Sequence, residues 1–339
     1  MKRYSIAQGV RYFILAFLFP LSVCASDTIT ITFTGDILLD RGVRKRIEML
    51  GVDHLFTPGI DSIFSASDYV VANLECPATK IRKPVYKRFI FRAEPEWLSA
   101  LKAHGITHLN LANNHSIDQG REGLIDTRNN IIAAGMTPIG AGDNMQEAST
   151  PVMLTKSVVC GGRLLDNVLS DSRHRRESAV CGGRLLERPV YIIASQRLPL
   201  ENFAYLPNKP CVSQEDFDTL KNRVQSLRRQ APDSYIIVSL HWGWEHTLKP
   251  TVMQRHQAHQ LIDAGADILI CHHSHTLQTI ENYHGHPIYY SIGNFIFDQQ
   301  KPLNTKTCLV QIKITSSSAS VETIPVEIRK CVPYLRSAK

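Results

Sequence analysis

The 339-residue sequence has no Cys-x-x-Cys pair, no zinc-finger spacing, no long basic tail and no Pro- or Ser-rich linker. Its cysteines therefore do not spell a redox dithiol or a zinc ribbon. The net charge of +7 is spread without aromatic-rich basic strands, so nucleic acid is not an implied partner. With no linker, the 43% apolar composition points to one large α/β domain, or to two domains. Membrane-length apolar runs are missing too. The candidate run, residues 12–23, is 12 residues long and contains Pro20, whereas a spanning helix needs about 20.

Lys2, Arg3 and Arg11 precede that run, which makes residues 1–25 an export signal with Val23 and Ala25 as the small residues before a cut after Ala25. Lipidation at Cys24 is a poorer match because Val23 stands just before it, and an uncleaved N-terminal anchor is the alternative. The expected destination is the periplasm or cell envelope. The exported domain spans residues 26–335, and the chain beyond the cut, residues 26–339, carries +4 once those three cations are removed from +7. Export permits disulfides, and Cys308 and Cys331, near the outer ends of a C-terminal hairpin, could pair. Lys80, Arg82, Lys83, Lys87 and Arg88 form a basic cluster that reads first as a solvated loop and second as an attractor of phosphate or polyanion.

Residues 28–34 alternate Thr with Ile29, Ile31 and Phe33, the period of a strand with one buried face. Residues 68–72, 107–112, 234–240 and 267–271 are short apolar runs of buried-strand length. Helices are expected over 96–104, 121–134, 214–229 and 251–264, three of them closed by Gly105, Gly135 and Gly265. The repeated strand–helix order implies a layered α/β fold. Strands at 308–312 and 321–328 flank a Ser-rich turn and form the closing hairpin. Val159–Leu165 recurs as Val180–Leu186, and excising 158–187 would join two strand-like runs by a tight turn. This segment reads as a mobile insertion in a surface hairpin loop, apart from the chemistry.

The chemistry lies at the strand ends. Apolar runs lead into Gly35-Asp36, Asn73-Leu74-Glu75, Asn113-Asn114-His115, His241-Trp242-Gly243 and His272-His273-Ser274-His275. Ligands at the carboxyl ends of neighbouring strands converge however far apart they lie in sequence. Alone, each fragment is ordinary turn chemistry, and His108, His256 and His259 read as surface or packing residues. Together Asp36, Glu75, Asn114, His241, His273 and His275 offer oxygen and nitrogen donors without thiolate, a set suited to divalent Mn, Zn, Fe or Mg at two sites. Two such ions about 4 Å apart can clamp a phosphoryl group and generate hydroxide. His115 is left as a general acid.

In this order the motifs, with Asp118, Gly120, Glu245 and the run from Ser291 to Asp298, resemble the bacterial capsule synthesis family CapA. That family is tied to poly-γ-glutamate capsules and related to calcineurin-like metallophosphoesterases. The resemblance implies a four-layer α/β/β/α sandwich with its metal site at one edge. It implies Asp36 and His275 on one metal, Asn114, His241 and His273 on the other, and Glu75 bridging. Leu38 stands where the phosphoesterases carry a histidine, so the first metal has fewer ligands. Arg41 is expected to contact a phosphate or glutamyl carboxylate, or to pair at the surface. Trp242 and Trp244 could wall the pocket, and Asn294 and Asp298 could orient the histidines. Asn73, Asp118 and Glu245 stand beside the ligands as supporting or substrate groups. The expected activity is hydrolysis of a phosphoester or a polyglutamyl amide. The alternative is a non-catalytic accessory that binds an anionic polymer beside membrane-bound capsule synthesis proteins.

Overall fold

The structure, a computed structural model, describes residues 28–154, 159–160, 163–164, 188–199 and 208–336. The expected export signal and all but four residues of the expected insertion at 158–187 lie outside the described residues.

Period-2 alternation builds two sheets with two different faces. In strand Tyr235–His241, Tyr235 and Ile237 enter one core while Ile236, Val238 and Leu240 enter another. Strand Tyr69–Leu74 does the same, with Val71 facing one way and Val70, Ala72 and Leu74 the other. The first sheet runs, in order, Val332–Leu335, Ala319–Arg329, Lys306–Ile314, Ile29–Ile37, Tyr69–Leu74, His108–Asn110 and Thr137–Ile139, and Asn294–Ile296 adds to the far end of Ile29–Ile37. The second runs Ile280–Tyr283, His286–Tyr289, Ile268–His272, Tyr235–His241, Val190–Gln196 and Val152–Leu154.

Ile29, Ile31 and Phe33 meet Ile192, Ile237 and Ile270 between the sheets. Helices Arg41–Leu50, Pro58–Ser65, Leu98–Ala103 and Gly120–Ala133 contribute to the core on the outer face of the first sheet, and Phe217–Gln230 and Val252–Asp263 to the core outside the second. Three cores separated by two sheets make four layers, the α/β/β/α sandwich expected. Gly105, Gly135 and Gly265 end their helices with φ of +98°, +77° and +112°, which side chains rarely adopt.

The C-terminal hairpin closes by pairing Ile314 with Ala319 and joins the first sheet beside Ile29–Ile37. The expected Cys308–Cys331 bridge does not form. Cys308 packs between the sheets and Cys331 in the core on the opposite face, so the sheet itself separates two buried free thiols. Val152–Leu154 and Val190–Gln196 pair antiparallel, Leu154 opposite Val190, which makes them the two strands on either side of residues 155–189.

Candidate metal centre

Strands Ile29–Ile37, Tyr69–Leu74 and His108–Asn110 are mutually parallel, as are Tyr235–His241 and Ile268–His272, so each set delivers its carboxyl ends to one edge. Gly35 lets that edge close. A Cβ there would stand 2.1 Å from the Gly293 carbonyl oxygen, so only glycine allows the 294–296 strand to approach. Asp36 follows, wholly buried, and accepts a hydrogen bond from Asn73 Nδ2 at 2.8 Å. Glu75 is fixed by its backbone N–H on the Ile37 carbonyl. Asn113 pins the next turn. Its Oδ1 accepts from the backbone of His115 and Ser116, and its Nδ2 donates to the Leu74 carbonyl at 2.9 Å.

From the other sheet, His241 Nε2 lies 2.9 Å from Asn114 Oδ1 and 3.6 Å from Glu75 Oε1. His273 and His275 both take left-handed backbone, φ of +96° and +55°, strain of a kind that concentrates at functional sites. His273 Nδ1 is 3.2 Å from His241 Nε2. His275 Nδ1 is 2.9 Å from Asn294 Oδ1 and 3.4 Å from Asp36 Oδ2, and its Nε2 is 3.8 Å from Glu75 Oε1.

Two ligand-like sets result. Donor atoms of Asp36, Glu75 and His275 lie within 4.8 Å of one another, as do those of Glu75, His241 and His273, and Glu75 belongs to both. Both carboxylate oxygens of Glu75 and Oδ2 of Asp36 are buried without a hydrogen-bond partner. Unpartnered buried carboxylates are costly, and a divalent cation relieves that cost directly. The donor chemistry, carboxylate and imidazole without thiolate, fits such an ion.

Titration tells the same story. Burial pushes Glu75 well above the usual carboxylate range, and the Asp36 charge adds to this. Burial acts on Asp36 in the same sense but is overcome by the adjacent imidazoles of His272 and His275, which hold it well below that range. Burial opposes a charge on His275, yet Glu75 and Asp36 raise it to about 9. Burial and neighbouring imidazole charge lower His273 to about 3 and His241 well below its ordinary value, leaving both in the neutral form that binds metals.

The remaining expected residues divide. His115 Nδ1 is 2.9 Å from Asp118 Oδ2, and burial lowers its pKa against the pull of that carboxylate. Trp244 and Glu245 are exposed and line a 400 Å³ cavity with Asn114, Gly243, Leu198 and His273. Trp242 instead turns into the outer core, where its Nε1 donates to the Tyr290 carbonyl. Asn294 Oδ1 lies 2.9 Å from His275 Nδ1, whereas Asp298 touches no histidine among the described residues; it holds Arg41 through two guanidinium nitrogens and accepts from Gly42 N at 3.1 Å. Arg41 is thereby a paired residue. Leu38 is fully buried in the core outside the first sheet.

Three contributors carry no assigned role in the sequence reading. His272 Nδ1 lies 3.1 Å from Asp36 Oδ1, although strand alternation alone would turn it away from His273. Asn113 reads as a turn residue but ties two strand ends. Lys87 belonged to the basic cluster read as solvated, yet its side chain is 3% exposed and its Nζ sits 2.8 Å from Asp118 and 3.4 Å from His115. The rest of that cluster behaves more as expected, with Lys80 and Lys83 in exposed ion pairs. His108 packs against Tyr69 and His259 stacks on Tyr283 away from the centre.

The family model described as bacterial capsule synthesis protein PGA_cap matches residues 30–299. The chain is 30% identical to the PGA biosynthesis protein CapA of Bacillus subtilis (strain 168), over 91% of this chain and 74% of that one. It is likewise 30% identical to the capsule biosynthesis protein CapA of Bacillus anthracis, over 93% and 71%. Among solved structures, a candidate 5'-nucleotidase from Staphylococcus aureus in complex with α-ketoglutarate superposes with a TM-score of 0.50 at 13% identity, over 91% of this chain. The chain spans only 54% of that larger protein, and the likeness is one of fold.

Proposed function

Because the chain belongs to the bacterial capsule synthesis protein family, we propose that it is an exported, metal-dependent hydrolase acting on a phosphoester or a polyglutamyl amide in poly-γ-glutamate capsule biosynthesis. The observation that carries this reading is Glu75, buried, unpartnered on both oxygens and shared by two ligand-like sets. Asp36, Glu75 and His275 would hold one divalent ion; Glu75, His241, His273 and Asn114 would hold a second. Bound there, the ions would polarise the scissile group and supply a hydroxide nucleophile at neutral pH.

The chain's own residues do the rest. Asn73 and Asn294 fix Asp36 and His275 by hydrogen bonds, as supporting groups of metal ligands do. Asp118, itself anchored by Lys87 and by Phe91 N, holds His115 through Nδ1, which leaves Nε2 to carry a proton to the leaving group. Trp244 and Glu245 shape the mouth. Export rests on residues 1–25, and the anionic polymer and membrane-bound capsule synthesis proteins are the partners this reading supplies. No helix among the described residues is long and apolar enough to cross a membrane.

Elemental analysis of the purified exported domain, with activity screening against phosphoesters and γ-glutamyl peptides, tests the proposal. Asp36→Ala and His273→Ala should each lower metal content and activity together; activity that survives loss of the metal defeats it. A second reading, a polymer-binding accessory without catalysis, draws support from Leu38, whose apolar burial leaves the Asp36 set one imidazole short of the phosphoesterase pattern. Its mark is polymer binding that persists after chelation.

A further inference from the structure

A second cavity of 400 Å³ opens beside the first, and the two share Leu198 and Pro199. Its floor is the carboxyl end of strand Val190–Gln196, which is parallel to Tyr235–His241 and ends in register with it, Gln196 opposite His241. Arg197 follows directly and donates its backbone N–H to the His241 carbonyl at 2.9 Å. The same strand-end logic that collects the metal centre therefore also presents Gln196 and Arg197 next to it.

The polar groups here are incompletely satisfied. Gln196 is wholly buried; its Oε1 accepts from Leu198 N, but its Nε2 has no partner. Arg197 Nε and Gln214 Oε1 are also buried and unpartnered. One guanidinium nitrogen of Arg197 donates to the Glu215 carbonyl, and the group lies 5.9 Å from the Phe217 ring centre. Neither nearby acid neutralises it within 4.0 Å. Glu215 is held by Arg223, and Asp216 caps its helix by accepting from Thr219. Two donors and one acceptor without partners, around a cation that has no counter-ion among the described residues, are costly unless a ligand completes them.

We propose that Gln196, Arg197 and Gln214 form a substrate subsite that takes a carboxylate of an acidic polymer, one position along the groove from the reacting bond. A guanidinium fork and an amide N–H match a carboxylate, and the Gln214 amide oxygen accepts the N–H of the adjoining amide. The shared Leu198–Pro199 wall carries the chain from this pocket to His273. The inference rests on the reading of the metal centre as the reacting site, and the test separates the two.

The probe is tri-γ-glutamate, titrated calorimetrically into the metal-loaded protein, with a trimer whose α-carboxyls are amidated and with inorganic phosphate as comparison ligands. Arg197→Ala should weaken the trimer at least tenfold, leave metal stoichiometry and phosphate affinity unchanged, and abolish the preference for free over amidated carboxyls. Gln214→Leu should weaken the trimer without touching that preference. If Arg197→Ala does not fold, Arg197→Gln carries the same expectation. Trimer affinity unchanged in the arginine variant overturns the subsite, as does loss of phosphate binding with the trimer unaffected. Should His273→Ala lose metal yet keep both hydrolysis and the trimer binding that Arg197→Ala weakens, the subsite stands and the metal-dependent reading falls.

Discussion

Glu75 has no hydrogen-bond donor among the described residues for either oxygen, and burial favours its neutral form. A residue so placed weakens the metal-free fold. Glu75→Met, near in size and apolar, should therefore stabilise the protein in chelator by about 1–4 kcal/mol, read from urea unfolding, while erasing the stabilisation that added metal gives the wild type. Loss of stability in chelator would mean that the carboxylate makes an interaction the variant has broken, and the cation argument would fail with it. Residue identity was legible at this scale wherever chemistry and position coincide. Asp36, Glu75, Asn114, His241, His273 and His275 stood at strand ends in the sequence and meet in the structure. Lys87 was not legible, because nothing local distinguishes a buried lysine from its exposed neighbours Arg82 and Arg88; its burial comes from Asp118, 31 positions away. Arg41 and Asp298 are similarly joined by tertiary contact alone, 257 positions apart.

Strands and the longer helices showed in the sequence because each carries a dense apolar face. Helix Arg41–Leu50 did not, since it buries only Val43 and Ile47 and the rest of its turns are charged or exposed. Its start is set by Asp40, whose side chain accepts from Arg41 N. What no pattern announces is where two elements must nearly touch. Strand Ile29–Ile37 and strand Asn294–Ile296 pair in parallel at Asp36 and Asn294, and the closeness at Gly35 is what lets Asn294 reach His275. Gly35→Ala forces a methyl into the Gly293 carbonyl and the Asn294 backbone. We expect it to cost about 1–3 kcal/mol or more and to lower metal affinity roughly 10–100-fold through the displaced Asn294. Calorimetric metal titration checks the second effect separately from thermal unfolding, and normal affinity in a folded variant would show that Asn294 is not needed to orient His275.

At the scale of the molecule, the two ligand-like sets draw on both sheets, Asp36 and Glu75 from one and His241, His273 and His275 from the other. Metal bound there would clamp the sandwich, so chelation should lower the unfolding temperature, by a free energy of about 2.7 kcal/mol relative to metal at a hundred times its dissociation constant. An unchanged transition after complete removal of metal would deny the clamp. The inserted segment should matter far less to the whole. Leu154 pairs with Val190, so the connection between them runs through residues 155–189. Removing 158–187 leaves five residues, Thr155, Lys156, Ser157, Arg188 and Pro189, within the range of hairpin loops. Loop closure then becomes easier by about 1.5 kcal/mol, while the register of Val152–Leu154 against Val190–Gln196 is already set by Val152, Leu154, Val190 and Ile192 packing into the core between the sheets. The deletion variant is expected to be at least as stable as the full chain in urea and to keep its metal content. A loss of more than about 1 kcal/mol, well outside the range of surface changes, would assign the segment a packing role on the sandwich.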